Sequence, residues 1–139
     1  MFRKILIPVD FTSKNDRAFA AAREVVDPEQ GEIVLVHVVE SLEDELDDDL
    51  RGFYRKLEKR AEERMDETLG RLGVGSFARR GEVILGHRAR AIVDFAAREN
   101  VDALVLSSHR VDPDKPGADW MTISYKVAIL ARCPVLLVK

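Results

Sequence analysis

The feature that most constrains the fold is a set of nearly continuous aliphatic runs, the first of which covers residues 4–9 and stops at Asp10. A run without polar alternation predicts a strand buried on both faces, which is typical of the interior of a parallel sheet. Pro8 has no backbone donor and therefore indicates the end of this strand. Because ligands of open α/β sheets bind outside the carboxyl ends of strands, we expect Asp10, Thr12 and Ser13 to lie near a ligand.

Similar runs recur along the chain and are separated by segments with helical periodicity. The apolar runs at 32–39 and 101–106 predict further buried strands, and the run at 135–138 predicts a last strand. Residues 77–85 alternate and predict an edge strand. Apolar residues three and four apart predict helices within 13–26, 50–72, 89–100 and 122–131. Ser13 and Asp16 have the spacing of a capping box for the first of these helices, and Thr122 is the expected cap of the last. Strands that alternate with helices predict a doubly wound α/β sheet in a single domain, 1–139.

Composition excludes several function classes. The 139 residues carry a formal net charge of -3, so the chain has no general attraction to nucleic acid. A single cysteine, Cys133, excludes an internal disulfide framework and is typical of a reducing compartment. Met1 leads directly into the first strand, and no apolar stretch approaches the length that spans a membrane. We therefore expect a cytoplasmic protein that has neither a nucleic-acid partner nor a membrane partner.

The sequence predicts no metal site and no catalytic residue. Residues 40–49 are rich in acids, but without glycine turns or ligand spacing such a run is typical of a solvated segment. Ser107, Ser108 and His109 are adjacent, yet no nucleophile elbow of the Gly-x-Ser-x-Gly type surrounds them.

Four segments together resemble the universal stress protein family of the UspA-like type over the whole chain. They are residues 4–10, 36–38, 100–106 and 133–138. The resemblance implies the strand order 3-2-1-4-5, with a topological switch point between the first and fourth strands. Asp10 and Ser107 would then face one crevice.

Nucleotide-binding members of this family carry Gly-x-x-Gly, nine further residues, and then Gly-Ser or Gly-Thr. Glycines there let backbone N–H groups close on phosphates. This chain has Ser107 and Arg110 at the first two glycine positions, and Met121 precedes Thr122 after a ten-residue spacer. A nine-residue spacer would instead align Trp120 and Met121. The loss of all three glycines predicts lost or weakened ATP binding.

The resemblance nevertheless carries contact positions over to this chain. Asp10, Val38 and Thr122 would lie on the ribose, base and phosphate sides of a nucleotide, and the full candidate set is Asp10, Thr12, Val38, Ser107, Arg110 and Thr122. Arg110 has two interpretations: its guanidinium could bind a phosphate bidentately, or it could fill the phosphate space.

Three functions follow from the resemblance. The favoured one is a non-catalytic stress-response protein that acts through association with an unidentified protein client and has a degenerate nucleotide crevice, so that no cofactor is required. The alternatives are a sensor that binds ATP or AMP through Arg110 and Thr122, and a slow ATP hydrolase. The last strand, with Val135, Leu136, Leu137 and Val138, would lie at a sheet edge, and the resemblance implies a homodimer paired through it.

Overall fold

The computed structural model describes residues 1–41, 47–109, 113–114 and 122–139. Strands and helices alternate strictly in this part of the chain, in the order β1 (Lys4–Pro8), α1 (Asn15–Val25), β2 (Glu32–Glu40), α2 (Asp48–Arg71), β3 (Ala78–Gly86), α3 (Arg88–Arg98), β4 (Ala103–Ser107), α4 (Ile123–Leu130) and β5 (Val135–Val138). All pairings are parallel, and the strand order is β3-β2-β1-β4-β5. The predicted doubly wound α/β sheet is confirmed, as is its strand order.

The central strand β1 is covered on both faces, as its unbroken aliphatic run predicts. Ile5, Leu6 and Ile7 have no exposed surface. On one face they pack with α1 and α2, through a cluster that includes Phe19. On the other face the cluster includes Phe95 of α3 and other residues of α3 and α4. Two cores therefore hold the sheet between two helical layers, which leaves the strand ends as the places where polar groups can gather.

The prediction of a capping box at the start of α1 is wrong. The helix begins at Asn15, and Lys14 precedes it with a helical backbone and no capping side chain. Asp16 cannot reach back to cap the helix, because its carboxylate accepts a hydrogen bond from Arg71 at the end of α2. This pair joins the two helices that cover the same face of the sheet.

Helix α2 is anchored to the sheet by its second half. Its fully buried residues are Ala61, Met65 and Thr68, whereas the first two turns contain none. The helix reaches the edge strand β3 at Gly81, where an added Cβ would lie 2.4 Å from the Met65 side chain. The glycine is required because the helix and strand approach this closely.

Ion pairs hold the amino-terminal side of the sheet. Arg80 on β3 binds Glu32 at 2.7 Å and Glu82 at 2.8 Å, and it also pairs with Glu99 at the end of α3. The backbone N–H of Lys4 donates to Asp102 at 2.9 Å, which ties the start of β1 to the start of β4. Among the described residues, no ion pair joins β1 to β4 at the opposite, carboxyl side of the sheet.

Two further expectations concern membranes and metals. No helix among the described residues is long and apolar enough to cross a membrane. Within the same residues, no group of three or more His, Cys, Asp or Glu side chains could hold a metal ion. Within the acidic run at 40–49, residues 42–46 lie outside the described residues, and Asp47 caps α2 by accepting from the Leu50 N–H at 2.8 Å.

Candidate functional site

A crevice of about 690 Å³ opens where β1 and β4 end side by side. This is the switch point of the sheet, because the chain leaves β1 toward β2 on one side and reaches β4 on the other. The described residues that line it are Pro8, Val9, Asp10, Ser13, Lys14, Asn15, Arg17, Val36, His37, Val38, Arg88, Ile92, Leu106, Ser107, Ser108, His109, Thr122, Ile123, Ser124, Val138 and Lys139.

The β1 side of the crevice is a closed hydrogen-bond network around Asp10. One carboxylate oxygen, Oδ1, accepts from the Thr12 N–H at 2.9 Å and from the Thr12 hydroxyl at 2.6 Å. The Asp10 N–H donates to Oδ1 of Asn15 at 3.1 Å, and Asn15 is only 3% exposed. The network therefore holds the Asp10 carboxylate at the mouth of the crevice, where Asp10 itself is exposed.

Asn15 also connects the two central strands. Its amide Nδ2 donates to Ser107 Oγ at 3.4 Å, and the Ser107 hydroxyl donates to the Lys14 carbonyl at 3.1 Å. The end of β4 is thus joined to the start of α1 across the floor of the crevice. Sequence reasoning missed Asn15, because an asparagine between Lys14 and Asp16 carries no signal of a contact 92 positions away.

The rings of Phe11 and His37 stack on each other at the β1 side of the crevice, near Arg64 of α2. Phe11 has a φ of 65°, which is rare for a residue with a side chain, and its ring lies 4.2 Å from the His37 ring. The Arg64 guanidinium is 5.7 Å from the centre of the Phe11 ring. The left-handed conformation of Phe11 turns the chain sharply between Asp10 and Thr12, which lets the Thr12 N–H point back at the carboxylate.

His37 is a neutral donor in this site. Burial lowers the pKa of the imidazole, an effect that the nearby Arg88 and Arg64 strengthen and that the Val9 carbonyl and Asp10 oppose. The Nδ1–H donates to the Val9 carbonyl at 2.7 Å, which fixes the ring at the end of β1. A histidine within a buried strand is typically hydrogen-bonded, and the structure identifies the Val9 carbonyl as the partner of His37.

The β4 side carries hydroxyl groups at longer distances. Ser124 Oγ lies 3.3 Å from Ser108 Oγ and 3.3 Å from Thr122 Oγ1. Thr122 holds the N-cap position of α4, but its side chain makes no capping hydrogen bond, so the prediction of a side-chain cap is wrong. Its hydroxyl contacts Ser124 instead, and both hydroxyls line the crevice.

A chain of hydrogen bonds ties the end of β5 to the end of β4. Lys139 Nζ donates to the Tyr125 hydroxyl at 2.8 Å, and that hydroxyl donates to the His109 carbonyl at 2.9 Å. Arg17 on α1 donates to the Lys139 carbonyl at 3.0 Å. This rim of the crevice was not predicted, because its four residues are far apart in the sequence.

The crevice is electropositive. Its described lining contains four cationic side chains and a single carboxylate, Asp10. Of these cations, Arg88 is paired with Glu40 at 3.1 Å, and Lys14, Arg17 and Lys139 complete the set. Such a lining favours an anionic ligand that also presents hydroxyl groups to a carboxylate.

The structure brings most of the predicted nucleotide residues together. Asp10, Val38, Ser107 and Thr122 all line the crevice. Thr12 lies beside it and acts as a donor to Asp10. Arg110 lies outside the described residues, as does most of the loop that separates it from Thr122. Both interpretations of Arg110 therefore stay predictions.

The fold defines a doubly wound α/β protein with a crevice at the switch point of its sheet. The chain belongs to the universal stress protein family, whose model matches residues 1–139. A comparison with the sequences of curated proteins found no significant match.

Solved structures share the fold over nearly the whole chain. The universal stress protein UspA from Lactobacillus plantarum is 20% identical with a TM-score of 0.75, and the match covers 99% of this chain and 97% of that one. A universal stress protein from Archaeoglobus fulgidus in complex with dAMP is 17% identical with a TM-score of 0.70, covering 99% and 98%. A family member from Arabidopsis thaliana with AMP bound is 19% identical with a TM-score of 0.62, covering 99% and 91%.

Proposed function

We propose that this chain is a non-catalytic, cytoplasmic stress-response protein that acts by association and whose crevice binds an adenine nucleoside monophosphate. The observation that carries the nucleotide part is the crevice of about 690 Å³ lined by four cations and one carboxylate. Its volume lies within the range of about 300–1,000 Å³ that small-molecule sites occupy. Relatives of the same fold were solved with dAMP and with AMP, which supports the ligand class.

The positions of the side chains suggest how such a ligand would be held. The outer oxygen of Asp10 is available to ribose hydroxyls, since Oδ1 is already bound by Thr12. The buried Val38 offers an apolar surface to a base, and Lys14 and Lys139 supply positive charge for one phosphate. We expect the crevice to bind one phosphate and not three. The three family glycines whose backbone N–H groups would bind further phosphates are replaced here by residues with side chains.

The same geometry supports a binding role without catalysis. The Ser107 hydroxyl donates to the Lys14 carbonyl, and the His37 Nδ1–H donates to the Val9 carbonyl. A nucleophile needs a base within hydrogen-bond reach, and both groups are engaged with backbone instead. We therefore expect no turnover of bound nucleotide.

Calorimetric titration with adenosine, AMP, ADP and ATP tests the proposal. We expect AMP to bind with a Kd on the order of 100 μM, worth about 5.5 kcal/mol, and ATP to bind no more than about threefold tighter. Asp10→Asn keeps an acceptor for Thr12 but places an amide against the ribose, and it should weaken AMP binding about tenfold. Lys59→Ala, on the exposed face of α2, is the matched control.

Two outcomes would overturn the nucleotide part. If ATP binds more than tenfold tighter than AMP, the chain holds several phosphates and is a triphosphate sensor. If AMP gives no heat at millimolar concentration, association alone is the function, which is the second candidate and is favoured by the missing glycines.

For the association we propose a homodimer paired through β5. The strand lies at the sheet edge, Leu136 is 43% exposed, and Ile129 and Leu130 on the neighbouring α4 are 80% and 55% exposed. An open apolar edge of this kind favours pairing with a second strand. Leu104 N–H donates to Pro134 and Ser108 N–H to Val138. In a parallel ladder this alternation leaves the outward donors at Val135 and Leu137.

Light scattering coupled to size exclusion checks this dimer. Leu136→Lys places a charge on the exposed side chain, and Leu137→Pro removes an outward donor while leaving the ladder to β4 intact. Both variants should elute with half the wild-type mass, and circular dichroism should show an unchanged fold. A wild-type mass equal to one chain, 15.7 kDa, at micromolar concentration would contradict the interface.

A further inference from the structure

The first half of α2 carries an exposed face that nothing within the described chain covers. Asp49, Gly52, Phe53 and Lys56 follow one another at steps of three and four residues, so they lie along one side of the helix. All four are exposed, and Phe53 keeps 55% of its surface open to solvent. The residues that anchor α2 to the sheet, such as Ala61 and Met65, lie on the opposite side.

The described part of the chain contains no neighbour that requires glycine at position 52. Gly52 lies inside a helix of 24 residues, where glycine is the least favourable residue apart from proline. An added Cβ would meet nothing within 4 Å, in contrast to Gly81, where Met65 would be struck. Gly70 in the same helix is equally open, so the open backbone alone does not identify a partner; at Gly52 it leaves space beside the exposed Phe53 into which a side chain of another molecule can fit.

The charges on this face are complementary to themselves under a two-fold axis. Asp49 lies one turn before the Gly52–Phe53 pair, and Lys56 lies one turn after it. Neither has a salt-bridge partner among the residues that the structure describes. In an antiparallel pair of these helices centred between Gly52 and Phe53, Asp49 of each copy faces Lys56 of the other. Phe53 of each copy then lies over Gly52 of the other, where no side chain is in the way.

We propose that a second copy of this chain docks on the face formed by Asp49, Gly52, Phe53 and Lys56, through antiparallel pairing of the first halves of two α2 helices. The partner is a second copy because this surface is complementary to itself. It carries both the Phe53 ring and the space at Gly52 that receives it, and both Asp49 and the Lys56 that pairs with it. Two to three helical turns bury less surface than a permanent dimer interface, so the association is weak and depends on concentration.

This surface is independent of the proposed pairing through β5. Helix α2 packs on the α1 face near β3, whereas β5 is the opposite edge strand. Both contacts can form in one assembly, which would then contain more than two chains. Each test below therefore compares the mass of a variant with the mass of the wild-type assembly, whatever number of chains the wild-type assembly contains.

The decisive experiment exchanges the charges. Asp49→Lys leaves a lysine opposite Lys56, and Lys56→Glu leaves a glutamate opposite Asp49, so each single variant should repel its own copy. The double variant D49K/K56E restores two opposite-charge pairs without changing the net charge. A mixture of the two single variants restores them as well, because every contact then joins a lysine to an acid. We expect each single change to weaken the α2 association at least tenfold, and we expect the double variant and the mixture to recover it.

Gly52→Leu is the steric test. Leucine favours a helix more than glycine does, so the variant should melt no lower than the wild type, while its side chain fills the space for Phe53. Sedimentation equilibrium at tens of micromolar protein should give half the wild-type weight-average mass or less. Gly70→Leu, on an exposed part of the same helix where an added Cβ also meets nothing, is the control and should keep the wild-type mass.

Three results would overturn the proposal. The first is a Gly52→Leu protein with the wild-type mass. The second is a double variant D49K/K56E that associates no better than D49K. The third is binding of wild-type protein to vesicles of anionic phospholipid that Asp49→Lys strengthens, since added positive charge favours a membrane surface but weakens pairing with a second copy.

Discussion

The two sides of the crevice are built differently. On the β1 side, Asp10, Thr12 and Asn15 are joined at 2.6–3.1 Å, and Asn15 is buried. On the β4 side, the hydroxyls of Thr122 and Ser124 approach each other at 3.3 Å, beyond the usual distance between two hydroxyl oxygens. The β1 side is therefore fixed before any ligand arrives, whereas the β4 side can reorient its hydroxyl groups. If the crevice binds a nucleotide as proposed, we expect the β1 side to be preformed for the ribose and the β4 side to become ordered around the phosphate on binding.

The largest expected effect on the difference between the two sides comes from substituting Asn15. Asn15→Ala removes the acceptor of the Asp10 N–H and the donor to Ser107, and it should destabilise the fold by about 1–3 kcal/mol. Urea unfolding followed by circular dichroism measures the change. A loss below about 0.5 kcal/mol would mean that the buried network does not hold the β1 side.

Substitutions of Phe11 test whether its left-handed backbone conformation on the β1 side costs stability. Phe11→Ala loses the stacking on His37 but keeps a Cβ at a φ of 65°, whereas Phe11→Gly loses the stacking and relieves the strain. We expect the glycine variant to be more stable than the alanine variant by about 1 kcal/mol in thermal unfolding. Equal stabilities would show that the left-handed conformation costs little here.

Ser124→Ala is the corresponding change on the adjustable side. Because its hydroxyl contacts are long and solvent can replace them, its unfolding free energy should change by less than about 0.5 kcal/mol. The same variant should weaken AMP binding measurably if the hydroxyls order around a phosphate. Unchanged binding together with unchanged stability would leave Ser124 without a role in the site.

The smallest expected effect is the pH dependence that His37 contributes. Its pKa is lower in the folded protein than the ordinary value of 6.5, so the unfolded chain binds a proton more readily. The stability from neutral His37 is fully present above pH 6.5 and is lost as the pH falls through the folded pKa. His37→Gln keeps an N–H donor for the Val9 carbonyl and should flatten the dependence of stability on pH between 7 and 5. An identical pH profile in the variant would exclude His37 as its source.

Sequence reasoning predicted the frame of the crevice better than its interior. The aliphatic runs predicted buried strands, and the family resemblance implied their order, so Asp10 and Ser107 could be expected at the ends of adjacent strands. Asn15 could not be found, because its contact with Ser107 depends on how α1 starts, and Asp16 binds Arg71 instead of capping that helix. Local motifs fail where a residue has a stronger partner elsewhere in the fold.

The structural role of a glycine is also difficult to predict from the sequence. An added Cβ at Gly81 would clash with the Met65 side chain, whereas an added Cβ at Gly52 would meet no atom of the described residues within 4 Å. Only the positions of the neighbours separate the two. The absence of the family glycines could be interpreted from the sequence alone, because the resemblance implies that those glycines bind phosphates.

The pairing of β1 with β4 also determines when the crevice can form. Ile5 lies opposite Ala103 and Leu6 opposite Leu104, so the two strands that frame the site are joined only after almost a hundred intervening residues have been synthesised. The contacts of β1 with β2 close a much shorter loop and form at lower entropic cost. On a ribosome, β1, β2 and β3 can therefore assemble while β4 is still missing. During that interval the edge of β1 that later pairs with β4 has unpaired backbone N–H and C=O groups.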